Sequence, residues 1–261
     1  MTASIQPKRD LPTQYVLRLA DTCLILAQRL GEWCGHAPII EEDIAITNMA
    51  LDLIGQSRGL LTLAGEMNQR AGGERFDEDQ LAFLRDERDY LNPTLVELPR
   101  GDFAFTVLRN AMVATYLTLV WEKLADSSEP ELAAIAGKAV KESRYHLQHA
   151  SDWVLRLGDG TDESARRLRD ALAALWRYST ELFTADAVDE AAAAAGIGPR
   201  TADLREAWLA EMTALLSDVG LAPPAPSSFV STGKQGVHTE AMGYLLTQMQ
   251  YLQRAYPGGV W

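Results

Sequence analysis

The chain has 261 residues, 47% of them hydrophobic and 23% charged, enough to bury a core and too ordinary for disordered, collagenous or disulfide-scaffold classes. Its net charge of −12, from 24 Lys+Arg against 36 Asp+Glu, carries no basic footprint, so no nucleic-acid partner is expected. A local patch for one phosphorylated ligand is still compatible with that balance.

Residues 1–10 contain no apolar run of the signal-peptide kind, and the first predicted helix spans residues 11–33. On its wheel Arg18, Asp21, Gln28, Arg29 and Glu32 share one arc of roughly 100°, and apolar residues fill roughly 200° of the rest. That apolar arc is wider than one neighbouring helix covers, so a bundle interior or a contact with another chain is expected. Cys23 and Cys34, eleven positions apart, would stand roughly 16 Å apart on this helix, far beyond disulfide reach. Two unpaired thiols point to a reducing, cytoplasmic compartment.

A turn at residues 35–38 leads to a second helix over 41–67, with Glu41, Glu42 and Asp43 complementing its dipole. From Ile44 to Leu63 this helix is apolar almost all round and reads as the buried central one. Residues 68–100 are polar, interrupted by Gly72, Gly73, Pro93 and Pro99, and read as a long connection with a short helix at 77–84. A third helix covers 102–124. Its most apolar uncharged stretch, 110–121, falls short of the ~20 residues of a membrane span. The fourth helix opens at a capping-box pair, Ser128 and Glu131, and closes at Gly158 as a left-handed cap. A fifth runs over 163–184, Ala-rich helix resumes before Gly196 and over 201–216, and a last helix spans 239–254. His238, Thr239 and Glu240 read as the cap of that last helix. No linker or long repeat divides the chain, which predicts a single all-α domain over 1–261, built on two long helical hairpins.

Four long antiparallel helices invite comparison with ferritin-like di-metal proteins. There two helices each give a Glu and two each give Glu-x-x-His, whose i and i+3 side chains reach one ion. The corresponding candidates are Glu32, Asp52, Glu122 and Glu142. The position three after Asp52 is Gly55, and three after Glu142 stands Tyr145, so both template histidines are missing. His146 is four residues after Glu142, a spacing at which a metal can still be shared, and His36 is four after Glu32. Lys138 shares the Glu142 face with His146 and His149. Two readings stay open: Lys138 neutralises a former metal site, or Lys138, Glu142 and His149 form a solvated stripe.

Several motifs resemble the C subunits of bacterial phenylacetyl-CoA epoxidases. They are LGEWCGHAP at 30–38, NMALDLIGQSR at 48–58, RDER at 85–88 and KAVKESRYHL at 138–147, with LWR at 175–177, ELF at 181–183, GVHTE at 236–240 and a tail with Pro257, Gly258 and Trp261. The resemblance implies a ferritin-like four-helix bundle with additional C-terminal helices and a non-catalytic structural role in aerobic phenylacetate degradation. The partner would be the related catalytic A subunit, which holds the di-iron centre. Other components would include a reductase that uses NADPH and carries flavin and an iron–sulfur cluster. This chain would then carry no catalytic, cofactor-binding or metal-ligating residue and no cofactor. Glu32, Asp52, Glu122 and Glu142 would be relic positions, with Lys138 as charge compensator. The bare apolar face of the first helix would favour a homodimer when the chain is alone. Two other readings compete: a di-iron oxygenase in its own right, using Glu32, Asp52, Glu122, Glu142 and His146, and a helical interaction protein unrelated to oxygen chemistry.

Overall fold

The computed structural model describes residues 4–259, so Trp261 of the tail motif lies outside the described residues. Among them the regular structure is helical, and the only bridge is the isolated Thr232–Val237 pair. Helix α1 (Leu11–Gly31) starts where Asp10 accepts the Thr13 N–H at 3.2 Å and Pro12 sits in the first turn. It folds back on α2 (Ile40–Arg70). The connection that follows holds α3 (Glu78–Phe83), boxed by Asp77 and Gln80, and α4 (Thr94–Glu97). Helix α5 (Phe103–Leu124), capped by Asp102, pairs with α6 (Pro130–Gly158) as the second hairpin.

The two hairpins close into one bundle. Leu26 and Leu30 of α1, Met49 and Leu53 of α2, Leu117 of α5 and His146 of α6 meet around a void of about 10 Å³, room for one water at most. Around this centre lie α7 (Asp162–Leu175), α8 (Ser179–Leu182), α9 (Ala187–Ala194), α10 (Arg205–Asp218) and α11 (Glu240–Ala255). The expected all-α, ferritin-like bundle with extra C-terminal helices is therefore present.

Several local expectations are corrected. The buried central helix is α5, where Glu122 and Lys123 alone are exposed. It is long and apolar enough to cross a membrane by composition, yet 83% of its apolar window is buried inside the bundle. Helix α2 instead turns one face to solvent, with Ile40, Ile44 and Leu51 at 68, 56 and 59% exposure. The wide apolar arc of α1 is consumed within the chain by α2, α4 and α9 rather than left for a second chain. Ser128 does not cap α6: its hydroxyl donates to the Ala195 carbonyl, and Pro130 opens the helix after Glu129. Gly158 is the last helical residue with no left-handed φ. Its lack of a side chain makes room for Val219, whose Cγ1 would stand 2.4 Å from an added Cβ. The fifth helix breaks at Leu175 into a 3-10 turn over Trp176–Tyr178 before α8.

Candidate functional site

Helical periodicity places Asp52, Gln56, Glu142, His146 and His149 along the α2–α6 seam, and the side chains pair across it. The His146 Nε2–H donates to Asp52 Oδ2 at 3.1 Å, and His149 Nε2 meets Glu42 Oε2 at 2.8 Å. Burial pushes the His146 imidazole below its usual pKa, although the Asp52 hydrogen bond and charge act the other way. A three-helix relay crosses the bundle beside this pair. The Cys23 thiol donates to Gln56 Oε1 at 3.5 Å, and the Gln56 amide donates to Glu142 Oε2 at 3.0 Å. Burial, with Glu142 and Asp21 nearby, pushes the Cys23 thiol pKa far up, so the group stays protonated and serves as a donor.

The four carboxylates of the di-metal template do not converge. Asp52 and Glu142 share the seam with His146, but Glu32 follows the end of α1 and bonds Arg29 at 2.5 Å. Glu122 is exposed near the end of α5 and pairs with Arg144 at 2.7 Å. Among the described residues no three His, Cys, Asp or Glu side chains are grouped as a metal would require. The residues present therefore do not fit a di-metal centre. Lys138 reaches Glu142 at 3.4 Å with 77% of its side chain exposed, so it is a surface partner worth at most about 1 kcal/mol. The inner oxygen of Glu142 is held by Gln56 instead.

A second polar system, which the helical wheel assigns to solvent, lies on the other side of α1. Arg18, Asp21 and Arg29, the expected polar arc, are 5, 0 and 6% exposed. They are covered by the connection before α5 and by the segment that leads into α11. Irregular backbone buried in this way needs partners for its N–H and C=O groups, and charged side chains supply them. Asp21 accepts both Arg85 terminal nitrogens and the Leu91 N–H. Arg29 donates twice to the Glu97 carbonyl and once to Ala241, while Arg109 donates to the carbonyls of Leu98 and Pro99. Arg18 bonds Asp186 and Asp189, and Lys234 joins Asp189 at 3.2 Å.

Glu97 anchors the last helix. Its carboxylate accepts from Asn92, from His238 Nδ1 at 2.6 Å and from the Thr239 N–H at 2.6 Å. Thr239 stands at the cap position of α11 with no side-chain cap bond, so the expected local cap is replaced by a carboxylate 142 positions away in sequence. Because His238 Nε2 also faces the Tyr90 carbonyl at 2.9 Å, both ring nitrogens donate. Burial opposes the charged form, but Glu97 and that carbonyl raise the pKa above its ordinary value.

The family model described as "Phenylacetic acid catabolic protein" matches residues 1–261. The chain is 47% identical over 249 residues to the C subunit of 1,2-phenylacetyl-CoA epoxidase from Escherichia coli (strain K12). That match covers 95% of this chain and 98% of the relative.

Proposed function

The chain belongs to the phenylacetic acid catabolic protein family, and from that premise we propose that it is the non-catalytic structural component of a multicomponent phenylacetyl-CoA epoxidase. Its role is to stabilise the related catalytic A subunit in the cytoplasm. The single observation that carries this reading is that Glu32 and Glu122 stand away from the seam shared by Asp52 and Glu142, with each of the four held by a different partner. On this reading the di-iron centre belongs to the partner, and NADPH, flavin and iron–sulfur chemistry belong to a reductase.

What this chain contributes is a rigid surface. The line of Ile40, Ile44 and Leu51 on α2 follows helical spacing and lies bare. Tyr145 on α6 is 53% exposed, its ring 6.4 Å from His149, which holds Glu42 of α2. An aliphatic stripe suits a helical partner, and the His146–Asp52 and His149–Glu42 hydrogen bonds tie α6 to the helix that presents it. This face, rather than α1, is the one offered to the catalytic partner.

The test has two parts. Elemental analysis of the chain expressed alone with iron supplied is expected to find well under one iron per chain; about two would overturn the structural reading in favour of an oxygenase in its own right. Co-expression with the related di-iron protein is expected to yield a complex that Leu51→Glu disrupts without lowering the melting temperature. Failure of any such protein to co-elute would favour an interaction protein unrelated to oxygen chemistry.

A further inference from the structure

A cavity of about 500 Å³ lies between the 3-10 turn after α7, α8, the start of α10 and the proline-rich segment 223–227. Its wall includes Trp176, Phe183 and Trp208, largely buried, with Trp208 tilted against each of the other two at a centroid distance of 5.2 Å. Two arginines, Arg177 and Arg205, also line it, and no carboxylate does. Neither arginine forms an ion pair with a described residue. In a chain of net charge −12, two unpaired guanidiniums in an acid-free, aromatic-walled cavity are a local inversion of charge.

From this arrangement we propose that the cavity binds a phosphorylated aromatic ligand of the adenine-nucleotide class, with the ring between the accessible edges of Trp176 and Phe183 and the proline segment, and the phosphate at the arginines. Size favours this class, because the volume is that of a small-molecule site and exceeds what one benzene ring with a carboxylate fills. Charge favours it too: a phosphate near −2 matches two guanidiniums, whereas a carboxylate needs one. Arg177 is already oriented. Its guanidinium lies 3.8 Å from the Phe229 ring centroid and 5.8 Å from that of Tyr178, so less freedom is lost when an anion arrives. The prolines at 223, 224 and 226 restrict the rim in the same way.

Calorimetric titration of the purified chain with adenosine 3′,5′-bisphosphate tests the cavity alone, and quenching of tryptophan emission gives a second readout. Saturable binding is expected, weakened about tenfold or more by Arg205→Gln and separately by Arg177→Gln. Both arginines are exposed, so the variants are expected to melt as the parent does. Coenzyme A as a further titrant rests on the epoxidase reading. Binding at least as tight as the bisphosphate identifies an acyl-CoA head group as the source, and exclusion of coenzyme A with bisphosphate retained identifies a free nucleotide. The proposal is overturned if the bisphosphate gives no saturable signal at millimolar concentration. It is equally overturned if both variants bind like the parent, or if phenylacetate saturates the site and the bisphosphate does not. None of these outcomes depends on whether the chain joins a di-iron protein, so the two readings fail separately.

Discussion

Replacing Asp21 by Leu is expected to be among the most damaging single changes in the molecule. Both Asp21 and Arg85 have fully buried side chains. The carboxylate takes both terminal guanidinium nitrogens and also the Leu91 N–H at 2.9 Å. Its removal leaves a buried guanidinium without a counter-charge and a backbone N–H without an acceptor. Breaking one partner of such a pair costs about 3–5 kcal/mol, which for a chain of this size lowers the melting temperature by about 10 °C at roughly 2–4 °C per kcal/mol. The double variant Asp21→Leu with Arg85→Met removes both charges together. It is expected to recover about half of that loss, because Arg85 also donates to the carbonyls of Leu81 and Asp89, which then lack a donor. Denaturant melts of the two single variants and the double variant complete the cycle. A loss under about 1 kcal/mol for Asp21→Leu would refute the claim that the polar arc of α1 is a buried clamp on the connection before α5.

Three further expectations follow from single contacts. The raised pKa of His238 means that its stabilising charge is fully present below its unfolded value near 6.5 and is lost as pH rises through the folded value; the gap in melting temperature between the parent and His238→Gln should therefore shrink from pH 6 towards pH 9, and a gap that widens would contradict the assignment. His146 works in the opposite sense, since burial lowers its pKa and stability should fall as pH drops below about 6.5, a loss that His146→Gln should abolish. Gly65→Ala should destabilise by about 1–3 kcal/mol through overpacking, although alanine is the better helix former, because an added Cβ would meet the Phe76 carbonyl oxygen at 2.0 Å; thermal melts showing a gain would refute that contact.

The parts of this molecule that a local pattern can carry were readable from the chain. Apolar spacing located both hairpins. What the pattern missed shares one physical cause. A wheel assigns Arg18, Asp21 and Arg29 to water because it sees only one helix, whereas, the Arg29–Glu32 pair aside, their partners stand 64 to 216 positions away in sequence. Those partners sit in irregular backbone, as Arg85 and Leu91 do, or in and beside short or distant helices, as Glu97, Asp186, Asp189 and Ala241 do, where the period of α1 carries no signal of them. The same blindness left residues 68–100 as a polar connection with one short helix, although Phe76, Leu81, Tyr90, Leu95 and Val96 are all buried there. The polar arc and the irregular connection are each improbable alone and complementary together, since charged groups on α1 supply the hydrogen bonds that the covering backbone lacks. That complementarity also explains why the apolar surplus of α1 left no face for another chain: the covering segments claim its polar side, α2, α4 and α9 claim its apolar side, and α2 keeps Ile40, Ile44 and Leu51 in water.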